Sequence, residues 1–80
     1  MAIEQIMKDV NNIFNEVLED NSIKVDQNTT TDDIERWDSL NHIHIITEIE
    51  KHYKIRFELN ELLNFKNVGD LCYVIQKKIS

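Results

Sequence analysis

The chain has 80 residues, and 9 Lys+Arg against 15 Asp+Glu leave a formal net charge of −6. That balance excludes a nucleic-acid partner, whose backbone needs clustered cations, and points to basic proteins instead. At this length a single domain over residues 1–80 is expected, with a core too small to enclose a large active site. Cys72 is the lone cysteine, so an internal disulfide and a Cys-based zinc site are excluded, as suits a reducing cytoplasmic compartment. The opening Met1-Ala2-Ile3-Glu4-Gln5 carries an early acid and no sustained apolar stretch, unlike a secretory leader. No run approaches the ~20 apolar residues of a membrane span. A soluble, intracellular monomer is the expectation.

Proline is absent and Gly69 is the single glycine, so the punctuation of hairpins is missing and helices become the default. Ile3, Ile6, Met7, Val10, Ile13, Phe14, Val17 and Leu18 recur at steps of three and four and predict an amphipathic helix from about residue 2 to 19. Gln5, Lys8, Asp9, Asn12 and Glu16 fall on its far face. From 19 to 39 the periodicity is lost in a polar, turn-prone stretch. This reads as a long loop pinned across the bundle by Ile23, Val25, Ile34 and Trp37, with room for a helical turn near 31–35. A second helix opens at Asp38-Ser39, either of which can be its N-cap. Leu40, Ile43, Ile46, Ile49 and Tyr53 form its predicted inward stripe, with Ile45 beside it.

Tyr53, Ile55 and Phe57 then alternate with Lys54, Arg56 and Glu58, a strand-like pattern without a pairing partner and hence an extended connection. A short helix over Leu59–Leu63 follows. Asn67 caps a fourth helix in which Val68, Leu71, Cys72, Ile75 and Ile79 face inward and Lys77 and Lys78 sit at the negative C-terminal end. The expected fold class is all-α, an up-and-down bundle of four helices.

The informative segment is Trp37-Asp38-Ser39-Leu40-Asn41-His42-Ile43, where the long loop meets a helix. A serine hydroxyl there is exposed, and a phosphate ester on it would meet free N–H groups and the positive end of the helix dipole. The plain alternative is that Ser39 is only a cap.

The whole layout resembles the acyl carrier protein family. A long first helix (2–19), a long loop (20–38), Asp38-Ser39-Leu40 opening a second helix, a short helix (59–63) and a closing helix (67–79) all match its plan. The run from Tyr53 through Ile55, Phe57, Leu62, Phe65, Val68, Gly69, Asp70 and Leu71 resembles the family's approach to its last helix. The resemblance implies a 4′-phosphopantetheine arm on Ser39, flanked by Asp38 and Leu40, whose thiol holds an acyl or aminoacyl group as a thioester. It also implies a phosphopantetheinyl transferase and acyl-loading and acyl-processing enzymes as partners, met by a surface of Trp37, Asn41, His42, His44, Glu48 and Lys51. Arg36 stands where carriers of fatty-acid synthesis often have glycine, and Glu48 and Glu50 are the only acids between Ser39 and Tyr53. These departures, with Trp37 before Asp-Ser, resemble carriers of dedicated pathways. The histidine-bearing face should be near neutral at pH 7 and turn positive around pH ~6.5.

No nucleophile, base and orienter can be assigned together, so an enzyme is not expected. The alternative class is an unmodified helical adaptor that binds a protein partner. His44, Glu48 and His52 recur at four-residue steps and could catch adventitious zinc, but nothing encloses them. A calcium loop from Asp26 fails because Thr31 takes the glycine position and Trp37 that of the bidentate glutamate. Cys72 reads as a buried structural thiol and Trp37 as packing that closes the loop over the helix start. Glu16, Glu19 and Asp20 oppose the dipole of the first helix and add little to it.

Overall fold

The computed structural model describes residues 2–63 and 65–79. Its elements are α1 (Ile3–Leu18), α2 (Ser39–Tyr53), α3 (Leu59–Leu63) and α4 (Val68–Ile79), with no strand among the described residues. The α1 stripe folds as its spacing predicts. Ile6, Val10, Ile13, Phe14 and Leu18 are buried, and Ile3, Met7 and Val17 pack against that core. Because this stripe is wide, α1 packs against both α2 and α4 and forms the spine of the bundle. Ile6, Phe14, Ile45, Ile49, Leu71 and Ile75 are fully buried, each contributing about 1.5–3 kcal/mol.

The second helix turns a different face inward from the one expected. Leu40 is 77% and Ile43 64% exposed, whereas Ile45 is 0% exposed and shares the core with Ile46 and Ile49. Apolar residues surround this helix, so two stripes can be drawn through Ile46 and Ile49. The phase is set by ties to residues outside the helix, Trp37 and Asp9. The Trp37 indole packs edge-on against Phe14 at 4.8 Å and donates Nε1–H to His42 Nδ1 at 3.0 Å. At the other end the Tyr53 hydroxyl donates to Asp9 Oδ2 at 2.8 Å. Both ties rotate α2 so that His42, Ile45, Ile49 and Tyr53 face α1 and the loop, and Leu40 and Ile43 face out.

Side chains of α1 stitch the long loop down. Asn15 Nδ2 donates to the Asp20 and Ile23 carbonyls, both at 2.9 Å, and the Val25 amide donates to Asn11 Oδ1 at 2.7 Å. Arg36 Nη1 donates to the Leu18 carbonyl, bringing a cation to the C-terminal end of α1 that the acids there had lacked. Residues 31–35 form hydrogen-bonded turns rather than a helical turn, with the Asp33 amide on the Thr30 carbonyl and the Trp37 amide on the Ile34 carbonyl.

The start of α4 closes the loop from the far side. Val68 N–H donates to the Thr29 carbonyl at 2.9 Å and Gly69 N–H to the Gln27 carbonyl at 3.0 Å, so two first-turn donors find loop acceptors. Asn67 is the expected cap, its Oδ1 accepting from the Asp70 amide at 2.9 Å. The connection after α2 is extended as expected, and Glu50 anchors it by accepting from the Phe57 amide. On α4, Lys78 pairs with Glu61 of α3 at 2.9 Å and lies 5.9 Å from the Phe57 ring centroid, fastening α3 to the bundle edge.

Candidate functional site

Ser39 is the first residue of α2 and is exposed. The choice between the two possible caps is settled in favour of Asp38, whose Oδ1 accepts from the Asn41 amide at 2.9 Å. The Ser39 hydroxyl therefore has no capping duty, and it makes no hydrogen bond to the described residues. The first turn of α2 carries no acid, and the carboxylate at this helix end, that of the Asp38 cap, is engaged by the Asn41 amide.

Beside Ser39 runs a groove of about 610 Å³ lined by Thr31, Trp37, Asp38, Ser39, His42, Ile43, Leu59, Leu62 and Phe65. Its walls are mostly apolar, and Asp38 is the one charged side chain among them. Of the expected site residues, Trp37, Asp38, Ser39 and His42 come together here. Leu40 points to solvent at 77% exposure and does not line the groove. Thr31, Leu59, Leu62 and Phe65 join from distant segments that helical spacing around Ser39 could not reveal. No sequence signal near Ser39 marks them, and only the fold shows Leu59, at the start of α3, to be 72% exposed.

Three residues of the expected partner surface turn partly inward. Trp37 is only 6% exposed, held by Phe14 and His42, so its role is the packing one and it does not stand out as a surface contact. Asn41 is half-buried and gives its side-chain amide to the Arg36 carbonyl at 2.7 Å. His42 is half-buried, and burial holds its imidazole below the ordinary value of 6.5. This corrects the expectation that His42 charges with the other histidines around pH ~6.5.

His44, Glu48 and Lys51 remain on the outer face, one to three turns beyond the groove. Glu48 Oε1 lies 4.0 Å from His44 Nε2 and 3.7 Å from Lys51 Nζ. His52 leaves this row for Asp9 on α1, 3.4 Å away, so His44, Glu48 and His52 are not gathered around one point. Among the described residues no three His, Cys, Asp or Glu side chains are placed to hold a metal ion. Cys72 is buried, and burial pushes its thiol up to about 11, away from nucleophilic chemistry.

Comparison with known proteins bears on this geometry. The family model described as the phosphopantetheine attachment site matches residues 8–75. Among solved structures, the chain is similar to the solution NMR structure of a holo acyl carrier protein from Geobacter metallireducens. The two share 43% identity over 92% of this chain and 85% of the other, with a TM-score of 0.88. The comparison with curated proteins finds no match.

Proposed function

Because the chain belongs to the phosphopantetheine attachment family and is an acyl carrier protein by type, we propose that Ser39 bears its arm and that it serves a dedicated biosynthetic pathway. The protein is a carrier rather than an enzyme, and its prosthetic group is 4′-phosphopantetheine. When bound, that group supplies a thiol on which an acyl group is held as a thioester.

The observation that carries the assignment to Ser39 is the division of labour at the helix start. Asp38 does the capping, which leaves the neighbouring hydroxyl exposed and unengaged. The residues around it suit a phosphodiester, with first-turn amides, no acid in that turn, and an apolar groove alongside. Delivery works by proximity, since a tethered acyl group stays at high effective concentration near each partner enzyme.

The outer face of α2 supports the pathway reading. It shows Leu40, Ile43, His44, Glu48 and Lys51, a mixed and partly apolar surface on which Glu48 is already paired with Lys51. Docking there depends less on salt than attraction between an acidic helix and a basic groove does. The partners are then a phosphopantetheinyl transferase and acyl-handling enzymes whose docking patches are themselves partly apolar.

Incubation with coenzyme A and a phosphopantetheinyl transferase tests the assignment. Intact mass should show one phosphopantetheine on the wild type and none on Ser39→Ala, with Ser22 and Ser80 as internal controls. An unmodified wild type under conditions that load another carrier would overturn it.

A further inference from the structure

The groove beside Ser39 contains one imidazole whose bonding leaves a proton donor to spare. His42 Nδ1 accepts from Trp37 Nε1–H at 3.0 Å, and an indole nitrogen can only donate. The neutral ring therefore carries its own proton on Nε2. That nitrogen has no hydrogen-bond acceptor among the described residues, and it is not among their buried unsatisfied atoms, so it opens to the groove or solvent. Ser39 and His42 are three residues apart on α2, a spacing that puts side chains on one helix face, and both line the groove.

Several other cationic and imidazole side chains are occupied elsewhere. Arg36 is on the Leu18 carbonyl, Lys51 and His44 on Glu48, His52 on Asp9 and Lys78 on Glu61. The groups facing His42 are the Trp37 indole, the Phe65 ring at 6.5 Å and, among charged groove residues, Asp38, whose Oδ1 is engaged by the Asn41 amide. An acceptor brought to this end of the groove thus meets a fixed Nε2–H donor. We propose that His42 is a positioning residue for the arm, its Nε2–H donating to the phosphodiester on Ser39 and holding the arm's first segment at the groove. The inference rests on Ser39 as the attachment residue. Trp37 acts through His42, by fixing which nitrogen is the donor.

An anion accepting from an imidazole favours the charged ring. The test compares 15N-labelled unmodified protein with protein loaded from coenzyme A, loading being read first by intact mass. Imidazole nitrogen shifts then give tautomer and titration midpoint for each histidine. The expected result is an Nε2–H tautomer in both forms and an upward shift of the His42 midpoint on loading. His44 and His52 should stay put, and the arm's phosphorus resonance should follow the His42 titration. In His42→Gln, loaded and shown folded by circular dichroism, that phosphorus step should vanish. Complete loading with an unmoved His42 midpoint overturns the proposal while leaving Ser39 as the attachment residue. Absence of any mass gain overturns both.

Discussion

Replacing Gly69 by alanine sets two physical effects of opposite sign against each other. Gly69 has no positive φ, so an alanine there is conformationally allowed and helix propensity alone would stabilise the variant by about 1 kcal/mol. Space says otherwise. A Cβ would stand 2.7 Å from the Gln27 carbonyl oxygen, 3.0 Å from Gln27 Cβ and 3.2 Å from Asn67 Oδ1. The nearest of these is backbone, which cannot swing aside as a side-chain tip can. Relief requires the loop to back away from α4, loosening the Gly69-to-Gln27 and Val68-to-Thr29 hydrogen bonds, each worth about 1 kcal/mol. With about 1–3 kcal/mol for overpacking, the net expectation is a loss of about 1–3 kcal/mol. For 80 residues the whole stability is about 4–12 kcal/mol, and Tm should fall by about 4–8 °C for each kcal/mol lost. Urea unfolding and thermal melts followed by circular dichroism read both quantities. A Tm equal to or above that of the wild type would refute the claim that the loop carbonyls sit against α4 as closely as described.

Ile45→Ala should cost about 2–4 kcal/mol and Ile43→Ala under about 0.5 kcal/mol by urea midpoint, because one is fully buried and the other 64% exposed. Equal effects would put α2 in the wrong phase. The folded-state pKa of His42 lies below 6.5, so the unfolded chain takes the extra proton first. This contribution to stability is complete above pH 6.5 and is lost as pH falls through the folded value. Emission of Trp37, the only tryptophan, should report that step below pH 6.5, and His42→Gln should abolish it. Cys72 should react with a thiol reagent at pH 8 far more slowly in the native protein than in urea, since its thiol is buried and pushed up to about 11. Equal rates would mean that α4 opens freely.

Helix periodicity located α1, α2 and α4 to within a residue or so, and α1 most completely, because its stripe has only one possible phase. In α2 the same reasoning failed at Leu40 and Ile43. With Ile43, Ile45, Ile46 and Ile49 crowded together, hydrophobicity cannot choose the inward side, and the choice is made by hydrogen bonds from residues 5 and 44 positions away. The loop's anchors were hidden for a similar reason. Asn11 and Asn15 read as ordinary polar residues until the carbonyls and amides they satisfy are in place. At the site, Asp38-Ser39 could be read as a helix start, but which of the two caps depended on geometry. Arg36 looked like a departure from a family pattern, and its partner at Leu18 is visible only in three dimensions.

The loop that leads to Ser39 is fastened at Gln27 and Thr29 by amides that are synthesised roughly forty residues later. A chain emerging from the ribosome in order therefore has α1, the loop and α2 available before the groups that complete their arrangement exist. The segment reaches its finished geometry only when α4 arrives and docks on α1. A modifying enzyme that recognises the folded helix start would consequently meet its finished shape only after α4 has docked.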